Sequence, residues 1–268
     1  MATPIGNAAD ITLRALDLMA QADVVACEDT RETGKLLALH GVRARLRSYH
    51  DHNAERVRPA LLTRLKAGAT VALVSDAGTP LVSDPGYKLV AEAIAQGVRV
   101  STVPGPSAAL AALTVSGLDP HRFLFAGYPS SRSPARRREL AELKDVRATL
   151  VFFESPRRLA RSLTDMAAIL GNRQAVVARE LTKLFEEVRR GRLTELAAHY
   201  RAHGAPKGEV VVVVAPPEER ETSEAELDRR LRQALKTMTV RAAVDAVTEA
   251  TGAPRRRVYA RALRLAAG

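Results

Sequence analysis

The chain has 268 residues, a formal net charge of +11 and a single cysteine, Cys27. One cysteine excludes a disulfide framework and is typical of a protein from a reducing compartment, so we expect a cytoplasmic location. No apolar run reaches the roughly 20 residues that cross a bilayer. The first residues lack the basic-then-apolar pattern of a signal peptide. A chain of this length predicts about two domains.

The excess of basic residues, 41 Lys and Arg against 30 Asp and Glu, has two explanations that composition leaves open. One is a polyanionic partner, above all nucleic acid. The other is the arginine-rich usage of a high-GC genome, in which arginine replaces lysine on ordinary surfaces. The positions of the arginines along the chain have to decide between them.

Helical and strand-like patterns alternate in the first half of the chain, which predicts a mostly parallel sheet. The predicted elements are, in order, a helix at 12–21, a strand at 24–27, a helix at 56–67, a strand at 70–75, a helix at 87–96, a strand at 98–103 and a helix at 108–115.

A stretch rich in proline, serine and arginine at 128–138 interrupts this alternation and predicts a linker or mobile loop that carries charge. A second set of elements follows it. These are a strand at 149–154, a helix at 157–170, a strand at 175–178, a helix at 194–201 and a strand at 209–215. The sequence therefore predicts an N-terminal α/β domain over 1–126 and a second α/β domain over 127–217.

After a predicted linker at 216–223, residues 224–268 have a purely helical pattern. Two apolar helix faces flank the turn sequence Thr251-Gly252-Ala253-Pro254, which resembles a helix-turn-helix unit. The alternative is a plain helical cap with a solvated basic face. Three consecutive arginines at 255–257 add charge at one helix start and favour nucleic-acid binding.

The stretch 75–86, Ser-Asp-Ala-Gly-Thr-Pro-Leu-Val-Ser-Asp-Pro-Gly, follows an apolar strand. Two glycines permit close approach or positive φ and two prolines restrict the backbone, so we expect one fixed loop shape at a ligand site. Residues 104–107 and 3–7 predict two further small-residue loops, and Ser107 can cap the helix after it. Each loop alone is ordinary turn chemistry, whereas together they favour a binding site for a zwitterionic ligand that bears an adenosine. Asp76 suits either its ribose hydroxyls or its ammonium group.

Other ligand classes lose support. The chain contains neither G-x-G-x-x-G nor G-x-x-x-x-G-K-[ST], which disfavours dinucleotide oxidoreductases and P-loop enzymes. His50-Asp51-His52 has the spacing of a metal pair, but no further cysteine or histidine cluster accompanies it. A polar loop is the better interpretation, and we expect no metal.

An ordered set of short segments resembles the tetrapyrrole methylase superfamily. More closely, the chain is similar to the bacterial ribosomal RNA small-subunit methyltransferase I family, which methylates the 2′-hydroxyl of a decoding-centre cytidine in 16S rRNA. The matching segments are Thr-Pro-Ile-Gly-Asn at 3–7, Glu-Asp-Thr-Arg at 28–31, His-Asp-His-Asn at 50–53, the whole of 75–86, Pro-Gly-Pro at 104–106, Phe-Glu-Ser at 153–155, Ala-Arg-Glu-Leu-Thr-Lys at 178–183 and Lys-Gly-Glu at 207–209.

The resemblance implies two α/β domains with S-adenosylmethionine in the cleft between them, a 16S rRNA substrate within the 30S subunit, and a homodimer. By position, it implies a cofactor pocket formed by Pro4, Asp76, Ala77, Gly78, Thr79, Ser107, Ala108, Phe153, Leu181 and Gly208.

A methyl transfer to a ribose hydroxyl benefits from a general base and from groups that position the substrate. The catalytic candidates are Asp29, Arg31, Glu180 and Lys183, with His52 and Glu154 as further candidates for the base. Each of them can equally belong to a structural ion pair. The expected contacts to the RNA backbone are Arg132, Arg136, Arg137, Arg138, Arg257, Arg261 and Arg264.

The resemblance also shows one departure, because the family begins with an apolar strand before Thr-Pro-Ile-Gly-Asn. Here only Met1 and Ala2 precede Thr3, so we expect the natural product to extend upstream. Two other functions stay open: methylation of a small tetrapyrrole by the same fold, and RNA binding without catalysis. The basic residues at 132–138 and the helical segment argue against the tetrapyrrole.

Overall fold

A computed structural model describes residues 1–218 and 224–266 of the chain, which fall into two compact units. Met1–Pro217 forms the larger unit and Glu218–Gly268 the smaller one. The α/β class with a helical C-terminal segment is confirmed. The predicted boundary at 126/127 lies inside the larger unit and stays a prediction. Most of the predicted linker at 216–223 lies outside the described residues.

The first sheet is parallel, as predicted for the first half of the chain. Among the described residues its strands are β1 (Val24–Cys27), β2 (Leu46–Ser48) and β3 (Val71–Val74), in the order β2-β1-β3. All of β1 is buried, because it is the central strand. The helices of this half are α1 (Leu13–Gln21), α2 (Thr30–Leu39), α3 (Ala54–Lys66), α4 (Tyr87–Ala95) and α5 (Ala108–Ser116), with a short 3-10 helix at Ala8–Asp10.

The strand predicted at 98–103 is wrong, because this stretch carries no strand in the structure. A strand needs a hydrogen-bonded neighbour, and the residues beside this stretch are Met1 and Ala2. The Met1 amino group donates to the Leu73 carbonyl (2.8 Å), and the Ala2 N–H donates to the Val103 carbonyl (3.1 Å). Residues 99–102 are exposed. Apolar pattern alone therefore does not make a strand where no ladder forms.

The second sheet is mixed. Within the described residues its strands are β4 (Phe123–Phe125), β5 (Thr149–Glu154), β6 (Gln174–Arg179), β7 (Glu187–Arg192) and β8 (Val210–Val214), in the order β4-β5-β8-β6-β7. Only the pairing of β4 with β5 is parallel. All five residues of the central strand β8 are buried. The helices of this half are α6 (Ser133–Glu142), α7 (Leu159–Leu170) and α8 (Leu193–His203). The structure also contains α2, β2, β4 and β7, which the sequence pattern did not predict.

The mobile linker predicted at 128–138 is also wrong, because Ser133–Glu142 is the helix α6. Pro134 stands in the first turn, where a missing N–H costs nothing. Arg136 is 3% exposed and lies 2.6 Å from Asp165 of α7, so a buried ion pair ties the segment to the second sheet's helical layer. The Ser133 hydroxyl donates to the same carboxylate (2.8 Å).

The smaller unit contains α9 (Glu224–Ala234), α10 (Val240–Thr251) and α11 (Arg255–Ala266) in its described part. The two predicted helices around Gly252 are confirmed, and Gly252 ends α10 in the left-handed region at φ +67°. Leu227, Val244 and Val258, one from each helix, are buried together. This unit therefore has a core of its own.

Candidate functional site

A cavity of about 390 Å³ lies in the larger unit, where loops from its two sheets meet. One wall is the loop that follows β3, and the other is built from the ends of β5, β6 and β8. The residues that line it are Ile5, Asp76, Ala77, Gly78, Thr79, Val82, Ser83, Asp84, Ser107, Ala108, Tyr128, Phe153, Glu154, Ser155, Pro156, Ala178, Glu180, Leu181, Gly208, Glu209, Val210 and Val211.

The structure brings together the three loops that the sequence singled out. Gly78 and Thr3 exchange two backbone hydrogen bonds, of 2.9 and 3.0 Å, which join the loop 75–86 to the loop 3–7. The Thr79 hydroxyl donates to the Pro106 carbonyl (3.1 Å) and joins the third loop. Gly78 has φ +78°, which favours glycine. The loop after β3 is therefore held from both sides.

The second half of this loop contains a carboxylate that sequence analysis missed. Leu81 and Ser83 adopt positive φ values of 73° and 65°, which is costly for residues with a Cβ. Directly after them, Asp84 lines the cavity. Burial raises the pKa of Asp84 to about 6, and the nearby charge of Glu28 and then Asp76 acts in the same direction. The sequence signal that could have identified Asp84 is its position within the segment 75–86.

Asp76 and the predicted catalytic pair Asp29 and Arg31 lie at the ends of β3 and β1. The Asp29 N–H donates to the Asp76 carboxylate (2.9 Å), which fixes Asp76 at the cavity rim. Asp29 itself caps α2 and lies 2.6 Å from the Arg31 guanidinium. Hydrogen bonds from Arg31 lower the pKa of Asp29 to about 2. Asp29 and Arg31 thus pair with each other beside the cavity rather than line it.

The opposite wall contains Glu180, the first residue after β6, with an unusual positive φ of 50°. Its carboxylate accepts from the Glu209 N–H (2.9 Å) and from the Lys183 ammonium (2.8 Å). The hydrogen bond from Lys183 is the main reason that the pKa of Glu180 lies below its usual value. Burial alone would lower the pKa of Lys183, but its bonds to Glu180 and Glu209 outweigh burial and raise it.

Gly208 is the close partner of this carboxylate. It has φ +91°, and a Cβ placed on it would collide with the Glu180 side chain. Glycine at 208 therefore lets the 207–209 turn approach the Glu180 side chain, whereas a larger residue would be strained and would displace that side chain. The ion pair of Glu180 and Lys183 and the absence of a side chain at 208 together shape this wall.

Glu154 lies at the end of β5 and is 2% exposed. Its carboxylate accepts from the Ser155 N–H (2.7 Å) and the Ser162 hydroxyl, and lies 2.8 Å from Arg158. These partners surround both oxygens, so Glu154 acts as a structural anchor of the cavity floor. His52, the other alternative base, does not line the cavity; its ring lies edge-on to His50.

An aromatic surface completes the lining. Phe153 packs edge-to-face against Phe125 (4.8 Å between ring centroids) and Tyr128 (5.4 Å). A flat aromatic ring of a ligand can pack against this surface. Carboxylates, hydroxyls and backbone groups on the facing walls can bind the polar part of the same ligand. The cavity volume falls in the range of roughly 300–1,000 Å³ that is usual for small-molecule sites. The lining therefore fits a nucleoside-bearing ligand with a charged end.

Nine of the ten residues predicted for the cofactor pocket line this one cavity, and Pro4 does not. Pro4 follows Thr3, which is bonded to Gly78 at the cavity edge. Among the described residues no group of three or more His, Cys, Asp and Glu side chains is placed to hold a metal ion. Nor is any described helix long and apolar enough to cross a membrane.

The arginines predicted to contact RNA lie in three kinds of surroundings. Arg132 and Arg138 are exposed, and Arg137 is half exposed with one bond to Asp165. Arg136 is buried against Asp165, so its guanidinium does not reach the surface, and we leave it out of the proposed RNA contacts.

The predicted RNA-binding arginines of the C-terminal unit likewise differ in exposure and in pairing. Arg264 is exposed on α11, and Arg257 is partly exposed. Arg261 instead donates to Asp228 of α9 (2.8 Å) and also pairs with Glu224. It joins α11 to α9, and we leave it out of the RNA contacts as well.

Comparison with known protein families identifies the class. The model described as "Tetrapyrrole (Corrin/Porphyrin) Methylases" matches residues 2–197, and the model described as "RsmI C-terminal HTH domain" matches residues 221–266. The fold and the cavity therefore belong to a tetrapyrrole methylase with an added helical domain. The solved structure of cobalt precorrin-4 methyltransferase CbiF shares this fold, with a TM-score of 0.61 at 20% identity over 80% of this chain and 92% of that one.

Another solved structure with this fold is uroporphyrin-III C-methyl transferase from Thermus thermophilus complexed with S-adenosyl homocysteine. Its TM-score is 0.54 at 22% identity, over 80% of this chain and 95% of that one. Such low identities define the fold alone.

The sequence relatives define the family. The ribosomal RNA small subunit methyltransferase I of Mesorhizobium japonicum is 53% identical over 266 residues, which cover 99% of this chain and 90% of the relative. The protein of the same name from Synechocystis sp. is 43% identical over 100% of this chain and 97% of the relative. The chain belongs to the ribosomal RNA small subunit methyltransferase I family, as its sequence predicted. It is a methyltransferase whose cofactor is S-adenosylmethionine.

Proposed function

We propose that this methyltransferase modifies the 2′-hydroxyl of a cytidine ribose in the decoding centre of 16S rRNA. One observation carries the assignment of the reaction site: a single cavity gathers nine of the ten predicted cofactor residues and adds a carboxylate with a raised pKa. The relatives' shared name supports the substrate class.

The protein's own contribution to the reaction is positioning and proton removal. S-adenosylmethionine supplies a methyl group that its positive sulfur has already activated, so orientation of the hydroxyl can provide much of the rate. Asp76, held by the Asp29 N–H, and the aromatic surface at Phe153 are proposed to hold the two ends of the nucleoside.

Asp84 is the proposed general base. With a pKa of about 6 it is ionised near neutral pH yet basic enough to accept the proton of the ribose hydroxyl. Glu180 is less suited, because Lys183 and the Glu209 N–H already occupy its carboxylate and its pKa is lowered. We propose that the Glu180–Lys183 pair positions the substrate. Asp29 and Arg31 are proposed to orient Asp76 and a substrate phosphate.

The proposed partner is 16S rRNA within the 30S subunit, since a folded RNA has to present its ribose in a fixed geometry. The proposed contacts to the RNA backbone are Arg132, which directly precedes α6, Arg137 and Arg138 on α6, and Arg257 and Arg264 on α11. Affinity should then fall steeply as salt rises. A homodimer and a cytoplasmic location, where ribosomes are assembled, complete the proposal.

The experiment is methyl transfer from labelled S-adenosylmethionine to 30S subunits purified from a strain that lacks this gene. Label at one 16S rRNA cytidine, with protection of its ribose from alkaline cleavage, is the expected result. Label on uroporphyrinogen III instead would support the tetrapyrrole alternative and overturn this one. Calorimetry that detects no S-adenosylmethionine binding would point to an RNA-binding protein without catalysis.

A further inference from the structure

A second cavity, of about 380 Å³, lies at the outer edge of the first sheet. It shares no lining residue with the cavity described above. We call it the arginine cleft, and its lining consists of Val24, Arg45, Leu46, Arg47, Ser48, Asn53, Arg56, Val57 and Arg64. Four of these nine residues are arginines, and none is acidic.

The secondary structure places these arginines together. Arg47 lies in the edge strand β2 and Arg45 lies directly before it. Because the two residues are two positions apart in extended chain, they project to the same side of this edge. Arg56 and Arg64 stand eight residues apart on α3, a little over two turns. The edge at β2 and the helix α3 therefore each contribute two guanidinium groups to the same cleft.

The rest of the lining is held in place. The Asn53 amide donates to the Ser48 carbonyl (3.2 Å) and the Ser48 hydroxyl (3.1 Å), and its oxygen accepts from the His50 N–H (3.0 Å). These bonds fix the turn between β2 and α3. The arginine side chains therefore project from a rigid base.

The charge of the arginine cleft is uncompensated. None of its four guanidinium groups forms an ion pair with a carboxylate in the described part of the chain. Arg58, on the same helix, shows the contrast, since it lies 2.7 Å from Glu92. Like charges gathered at one place repel one another, and an anionic ligand removes that cost. Guanidinium groups suit phosphate in particular, because they donate two parallel hydrogen bonds.

We propose that the arginine cleft binds the phosphodiester backbone of the RNA substrate, at a distance from the site of methyl transfer. This inference rests on the proposed rRNA substrate. A polymer fits better than a single small anion, because four guanidinium groups from two elements can meet more than one phosphate. Arg45 and Arg47 are about 6.6 Å apart by strand rise, so two neighbouring phosphates can each meet one guanidinium. Arg43, which is exposed, continues the spacing of one arginine at every second residue.

The test is the double variant Arg45→Gln/Arg47→Gln, with Arg14→Gln/Arg99→Gln as a control that removes the same charge from two other exposed arginines. Affinity for 30S subunits is measured by filter binding from 0.05 to 0.5 M salt. Loss of two phosphate contacts should make the slope of log K against log salt shallower by about 1.4 and weaken binding about 25-fold at 0.1 M salt. The KM for 30S subunits should rise by a similar factor, while the affinity for S-adenosylmethionine should stay within two-fold of that of the unaltered enzyme.

Equal effects of the cleft and control variants would overturn the inference, because the loss would then reflect net charge alone. An unchanged affinity in the cleft variant would overturn it too, as would micromolar binding of cytidine monophosphate at the cleft without any change in the KM for 30S subunits. If the unaltered enzyme does not methylate 30S subunits at all, the proposed function fails rather than the cleft.

Discussion

Replacing Asp84 with asparagine tests both the proposed base and the electrostatics of the cavity. The raised pKa, about 6 against an ordinary 3.8, means that the folded protein holds this proton more tightly than the unfolded chain. Two pKa units correspond to about 3 kcal/mol, and partial contact with solvent reduces this to about 1–2 kcal/mol. The stability linked to this group is complete below pH 3.8 and is lost as pH rises through about 6.

At pH 8 the unaltered protein therefore contains an unfavourable buried charge, which Asp84→Asn removes. We expect the variant to be more stable by about 1–2 kcal/mol in urea unfolding at pH 8, with a smaller gain at pH 5. Its turnover should fall by about 10²–10⁴-fold, because the proton acceptor is lost. The activity of the unaltered enzyme should decrease below about pH 6, whereas the residual activity of the variant should not show this decrease.

Asp17→Asn, at an exposed position on α1, is the matched control and should change neither quantity. Turnover of Asp84→Asn within three-fold of the unaltered enzyme would remove Asp84 as the base. A variant that is less stable at pH 8 would refute the account of the raised pKa, because the carboxylate would then be favourably solvated or paired.

Three further predictions follow from the ion pairs and the close approach described above. Glu180→Ala and Lys183→Ala should each lower single-turnover methyl transfer while the calorimetric affinity for S-adenosylmethionine stays within two-fold; unchanged rates in both variants would exclude a positioning role. Asp165→Asn should destabilise the protein by about 3–5 kcal/mol in urea unfolding, since it leaves the Arg136 charge buried without its partner; a loss below about 1 kcal/mol would show that water reaches this pair. Gly208→Ala should cost about 1–3 kcal/mol through its positive φ and should displace Glu180, with a loss of turnover; full activity in this variant would show that the wall adapts.

Much of the fold could be read from local pattern. The strand at 149–154 coincides with β5, and the turn around Gly252 separates α10 from α11. The errors came where the pattern depended on distant partners. Residues 98–103 have the pattern of a strand but form no ladder. Residues 128–138 have the pattern of a charged loop, whereas in the structure Asp165 pairs with Arg136 and α6 begins at Ser133. Asp165 lies 29 residues from Arg136, so a local sequence window cannot show that the two residues pair.

The sequence by itself determined the family, the α/β class and the three loops that approach the cavity, because these depend on short motifs and on the periodicity of apolar residues. Tertiary structure decided which charges are available for chemistry. It showed Glu180 occupied by Lys183, Asp84 with a raised pKa, Arg261 bonded to α9, and four arginines gathered in one cleft. The physical reason is that burial and charge pairing depend on neighbours in space, which a linear sequence does not display.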